Sequence, residues 1–122
     1  MATLTFGQRA SGPRWLERFR AADAWVVAAW EATAAMPPGT GELSRSLRHG
    51  AVDCGTCLVA AAQCAPTEEA KTFLARARAR LMEARYLLYL ARRFGALDTK
   101  RYRNLSAKLD RALREVSVRG SP

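Results

Sequence analysis

Four stretches of the chain place apolar residues at alternating spacings of three and four, and none sustains a two-residue alternation. The pattern predicts an all-α protein. In the first stretch, Trp15, Phe19, Ala22, Val26, Ala29, Thr33 and Met36 form one seam, opened by Pro13 and closed before Pro37-Pro38-Gly39. The second seam is Leu43, Leu47, Gly50, Cys54, Leu58 and Ala61, with Thr40 as the expected N-cap and Pro66 ending the helix. Thr67-Glu68-Glu69 starts the third, whose seam Leu74, Ala77, Leu81, Ala84, Leu88, Ala91 runs to Gly95, a residue suited to a left-handed C-terminal cap. Asp98 caps the fourth, which buries Tyr102, Leu105, Leu109, Ala112 or Leu113, and Val116. The expected helices are therefore about 14–36, 41–64, 68–94 and 99–117.

Connections of three to five residues make neighbouring helices antiparallel, so the expected architecture is an up-down-up-down four-helix bundle over residues 13–118. Residues 1–12 read as a flexible N-terminal arm and 119–122 as a flexible tail. Trp25, Trp30, Leu87, Leu90 and Phe94 fall partly off the principal seams. They make either a second apolar stripe for subunit contact or a broad core face on long helices. The chain's 24 alanines allow close helix approach and fill little volume.

The length of 122 residues, with 49% apolar and 25% charged residues, fits one globular domain with its own core. The longest uncharged apolar run, Ala24 to Trp30, is far short of the roughly 18–20 residues of a membrane span, and Arg9, Arg14 and Arg18 interrupt any signal-like segment. A cytoplasmic protein without membrane contact is expected, with its three cysteines reduced.

Candidate chemistry on the second helix fails on geometry. His49, Asp53 and Cys57 stand at i, i+4 and i+8, and eight residues are about 12 Å of rise, beyond the hydrogen-bond reach that a nucleophile and its base require. Cys54-Gly55-Thr56-Cys57 is a C-x-x-C, but Cys64 is about 10 Å further along the axis from Cys57 and no fourth ligand accompanies them. The motif also sits in mid-helix, away from the strand-to-helix setting of redox pairs. Small buried thiols in a tight seam are the expected role. With no phosphate-binding glycine loop and no G-x-S-x-G, the sequence reads as non-enzymatic, without cofactor or metal.

Charge changes the picture more. Residues 1–70 carry six bases and seven acids, whereas residues 71–122 carry fourteen and four. Lys71, Arg78, Arg85 and Arg92 recur every seven residues, a step that drifts only about 20°, so they share one side of the third helix. Arg76, Arg80 and Arg93 flank them, and Tyr89 lies between Arg85 and Arg92 as a ring able to stack on bases. Lys100, Arg101 and Arg103 occupy the start of the fourth helix, where the dipole disfavours cations unless an anion arrives. Lys71, Arg78, Arg85, Tyr89, Arg92, Arg93, Lys100, Arg101 and Arg103 are thus the candidate nucleic-acid-binding residues.

The run Arg85-Tyr86-Leu87-Leu88-Tyr89-Leu90-Ala91-Arg92, then Phe94-Gly95-Ala96-Leu97-Asp98 and Arg101-Tyr102, followed by Leu105, Leu109 and Val116, resembles the second half of the Avd proteins. These are accessory variability determinants of diversity-generating retroelements, in the four-helix superfamily that includes proteins encoded in ribosomal RNA intervening sequences. The resemblance spans roughly residues 14–117 and is specific over 81–110. It implies a basic bundle assembled as a homopentameric barrel that binds a reverse transcriptase and contacts RNA and DNA. On matching positions, Arg85, Arg92 and Arg101 would be basic-surface residues and Tyr102 a packing residue. Met36-Pro37 departs from a common Phe-Pro, Val116-Ser117-Val118-Arg119 replaces a common Gly-Gly-Trp, and nothing matches the Asn-Ile-x-Glu-Gly of the intervening-sequence branch. The competing expectation is an adaptor bundle whose basic face docks an acidic protein without nucleic acid.

Overall fold

A computed structural model describes residues 13–116, and among these every regular element is helical. Helix α1 spans Pro13–Ala34, α2 Gly41–Cys64, α3 Glu68–Arg93 and α4 Thr99–Val116. The expected arm, the tail and the last residue expected of α4 lie outside the described residues. Each helix packs on its chain neighbours and α4 closes back on α1, while the backbones of the diagonal pairs α1/α3 and α2/α4 stay further apart. Contacts fix the directions. Arg48 of α2 reaches Thr33 of α1, Asp53 meets Arg76 and Arg80 of α3, Arg85 meets Asp110 of α4, and Arg111 meets Glu17. Each of these pairings matches an early residue of one helix to a late one of its neighbour, or centre to centre, as antiparallel packing requires. The result is an up-down-up-down four-helix bundle, and no described helix is long and apolar enough to cross a membrane.

The ends of the helices show local chemistry at work. Thr67 Oγ1 accepts from Ala70 N at 3.1 Å, and Asp98 Oδ1 accepts from Arg101 N at 2.8 Å, so both caps act as expected. Gly95 adopts φ +77, and Ala96 N donates to Ala91 O at 2.8 Å, a bond that spans the glycine and stops α3 there. Thr40 differs from expectation. It stands at the α2 boundary, but its hydroxyl donates to Pro37 O at 2.6 Å and makes no cap bond. The tight Pro37-Pro38-Gly39 turn, with Gly39 at φ +95, occupies the side chain that would otherwise reach into the helix.

The core follows the seams. Leu47, Leu58, Leu81, Leu88, Leu97, Leu105 and Leu109 are fully buried, and alanine contributes thirteen of the twenty-five buried apolar residues, so the helix backbones approach closely. Of the two expectations for the off-seam residues, Trp25 follows the broad core face, because it is 0% exposed and belongs to the core cluster. α1 packs between α2 and α4, and that two-sided environment widens its buried face beyond one seam. Leu87 and Leu90 are half-buried, whereas Trp30 and Phe94 do face solvent. At the α1/α4 seam, Arg18 is buried over the Trp15 ring, 4.8 Å from its centroid, with Nε donating to Glu115 O at 3.4 Å. Burial pushes this guanidinium below its ordinary range, Arg14 adds to that, and Glu115 opposes it.

Candidate nucleic-acid interface

Of the heptad-spaced bases of α3, Arg85 and Arg92 reach toward α4, and the structure gives the four different partners. Arg85 Nη2 donates to Asp110 Oδ1 at 2.6 Å, bridging the two helices. Arg92 donates to Thr99 Oγ1 at 2.7 Å and to Leu97 O at 3.5 Å, so it braces the α3–α4 connection. Lys71 pairs within its own helix with Glu68 at 3.0 Å. Arg78 has no hydrogen-bond or ion-pair partner among the described residues. Arg85 and Arg92 therefore hold the bundle together as well as charging its surface.

At the start of α4, Arg101 is tied to Asp98 through both its backbone N–H and its guanidinium. Lys100 and Arg103 are exposed and have no partner among the described residues. The same holds for Arg114, and for Lys108, which is half-buried on the α1 side. Together with Arg78, Arg92 and Arg93, these make seven cations on α3 and α4 with no carboxylate partner among the described residues: Arg78, Arg92, Arg93, Lys100, Arg103, Lys108 and Arg114. Arg101 and Lys108 also border a cleft of about 510 Å³ between α1 and α4, floored by Ala28, Ala32 and Leu105 and flanked opposite by Glu31.

Tyr89 does not sit clamped by Arg85 and Arg92, since both are drawn toward α4. Its hydroxyl instead accepts from Arg93 Nη1 at 2.9 Å. Its ring stacks with Tyr86, centroids 6.2 Å apart and planes inclined by 22°. Tyr86, Arg114 and Lys108 were not among the expected site residues. The Tyr86-x-x-Tyr89 spacing was the available signal for the first, because residues three apart on a helix are neighbours. For the other two the signal was weaker, isolated bases on the strongly amphipathic fourth helix.

Arg76 and Arg80 leave the basic face for a structural role. Both reach Asp53 of α2, Arg80 Nε at 2.7 Å and Arg76 Nε at 3.2 Å, and Arg80 also pairs with Glu83. The bond from Arg80 and then that from Arg76 hold the Asp53 carboxyl below its usual range, against the opposing effect of burial. His49 consequently does not share Asp53. It lines a hollow of about 310 Å³ with Ser46, Arg80, Glu83, Tyr86 and Leu87.

The cysteines are separated by their surroundings. Cys54 and Cys57 lie in the core, where burial pushes the Cys54 thiol up to about 12 and raises that of Cys57 as well. Cys64 stands at the end of α2, with Sγ 3.4 Å from Glu69 Oε1. Among the described residues no group of three or more His, Cys, Asp and Glu side chains could hold a metal ion. No family model, no curated protein and no solved structure matches the chain.

Proposed function

We propose that the protein is a non-enzymatic, cytoplasmic nucleic-acid-binding accessory that partners a reverse transcriptase in a diversity-generating retroelement and works as a homopentamer. The observation that carries the nucleic-acid part is the set of seven cations on α3 and α4 that lack a carboxylate partner among the described residues. Internal pairing leaves their charge free for an external polyanion, and guanidinium suits phosphate because it donates in a fixed fork. The retroelement setting rests on the Avd-like run of residues 81–110, and a basic four-helix bundle is the fold that resemblance implies. Half-exposed Val27, Trp30, Val52 and Val59 give α1 and α2 an outward apolar surface suited to contact between copies.

Binding of labelled single-stranded RNA, single-stranded DNA and duplex DNA is measured across a salt series. Each neutralised phosphate releases counterions, so log affinity should fall against log salt by about 0.7 per phosphate for single strands and about 0.9 for duplex. Capture of bound protein and RNA from the native host should recover a reverse transcriptase. Recovery of an acidic protein by a chain that binds no nucleic acid would establish the adaptor reading instead. Light scattering should give about five times the 13.4 kDa chain mass, and the mass of a monomer would end the pentamer proposal.

A further inference from the structure

We propose that the outward face of α3 is a stacking platform for unpaired bases, so that the ligand of the basic face is a single strand rather than a duplex. This rests on the nucleic-acid reading above and specifies its ligand. Met82, Tyr86, Tyr89 and Arg93 stand at i, i+4, i+7 and i+11, one stripe opposite the buried residues Ala77, Leu81, Ala84 and Leu88. Met82 is 56% exposed, Tyr86 62% and Tyr89 48%. These are three large side chains in water on a helix whose other outward positions are mostly charged or alanine. The two tyrosines are already arranged as a nearly parallel pair, and the Arg93 guanidinium is anchored beside them by its bond to the Tyr89 hydroxyl.

Charge decides what covers this stripe. Arg78 continues it toward the start of the helix, Arg92 borders it on the α4 side and Arg93 stands within it, none with a carboxylate partner among the described residues, whereas the nearby Lys71 and Arg85 are paired with Glu68 and Asp110, and Glu83 is the acid nearest to the stripe in sequence. A second copy meeting the stripe with its own would bring these like charges together, a costly arrangement. A nucleic-acid strand supplies the missing anion and a π-face at each nucleotide. Aromatic rings beside a cationic track are the usual means of holding single strands, and they tolerate any sequence because every base can stack. A duplex offers this surface only phosphates, since its base faces are covered by their neighbours in the stack. Phosphates of one strand would then run along Arg78, Arg92 and Arg93 while two successive bases turn onto Tyr86 and Tyr89.

The test compares a fluorescently labelled single-stranded oligonucleotide with its own duplex at fixed salt, using the full chain and two double variants. Tyr86→Leu with Tyr89→Leu keeps apolar area and removes the rings, whereas Tyr86→Phe with Tyr89→Phe keeps the rings and removes the hydroxyls. The wild type should favour the single strand. The leucine variant should lose about tenfold or more of that affinity, with the phenylalanine variant within about twofold of wild type and the salt slope and duplex binding unchanged in both. A 2-aminopurine placed in the strand should be quenched on binding the wild type and not the leucine variant. Circular dichroism should show unchanged helix content, because both positions are exposed. Wild-type affinity in the leucine variant, or an equal loss for strand and duplex, would overturn the platform while leaving nucleic-acid binding intact. A wild-type chain that binds neither form would overturn both readings.

Discussion

The outward surfaces of the two halves of the bundle are built from different materials. Helices α1 and α2 carry five bases against five acids, with Val27, Trp30, Val52 and Val59 partly in water, and a mostly apolar groove of about 350 Å³ runs between them past Phe19, Val26 and Val59. From Glu68 to Val116, α3, its connection and α4 carry thirteen bases against six acids, and the exposed apolar residues there are Met82, Tyr86, Tyr89 and Phe94. Inside, the halves are alike, each contributing leucine and alanine seams to one continuous core. Core packing thus constrains both halves equally and leaves their surfaces free to diverge. On the proposed reading, polyanion contact falls to α3/α4, and α1/α2 is the surface through which copies would meet without charge repulsion.

The largest expected effect tests the shared core. Trp25→Ala should cost about 3–5 kcal/mol, read as a fall in the denaturation midpoint, because it empties a fully buried indole site. Trp30→Ala, at a position 50% exposed, should cost under about 1 kcal/mol, chiefly its contact with the Arg48 guanidinium 4.2 Å from the ring centroid. Equal losses would mean that α1 is not buried asymmetrically.

Next comes the charge contrast itself. Reversing Arg78, Lys100, Arg103 and Arg114 together to Glu should weaken single-strand binding about a hundredfold, equivalent to about 2.7 kcal/mol, and flatten the salt slope. Arg20→Glu with Arg45→Glu, on the neutral half, should change affinity less than about twofold. These four cations are better probes than Arg85 and Arg92, whose bonds to Asp110 and to Thr99 and Leu97 make their reversal a stability change as well. Similar losses from both sets would erase the distinction between the halves.

Asp53→Asn should destabilise by about 2 kcal/mol, since Arg76 and Arg80 lose the carboxylate that joins α2 to α3. The Asp53 carboxyl is held below its usual 3.8, so its contribution is present above that value and is lost as pH falls through the lower folded value. The variant's acid-denaturation profile should lack this step. Urea titrations of both proteins at several acidic pH values measure it.

The smallest effect concerns the thiols. At pH 8 a disulfide-exchange reagent should modify Cys64 quickly in the native protein, with Cys54 and Cys57 reacting only on unfolding. The neutral Cys54 thiol favours the folded state up to its ordinary value near 9.0, and that advantage is lost as pH rises toward about 12. Fast modification of all three native thiols would show that the α2 seam is open.

Periodicity and end signals determined the fold from the sequence. The helix bounds differ from expectation by a residue or two, and the Thr67, Gly95 and Asp98 ends behave as their local chemistry dictates, because caps and seams depend on neighbours within one or two turns. The concentration of positive charge in the second half was equally legible, being a property of composition. Tertiary structure alone decided how that charge is divided. Which arginine meets Asp53 or Asp110, and which is left to solvent, depends on the register of one helix against another, and that register is set by side-chain packing across the core rather than by spacing along the chain. The full burial of Trp25 has the same origin: one helix's pattern shows which face is apolar, and only its neighbours determine how much of that face they cover.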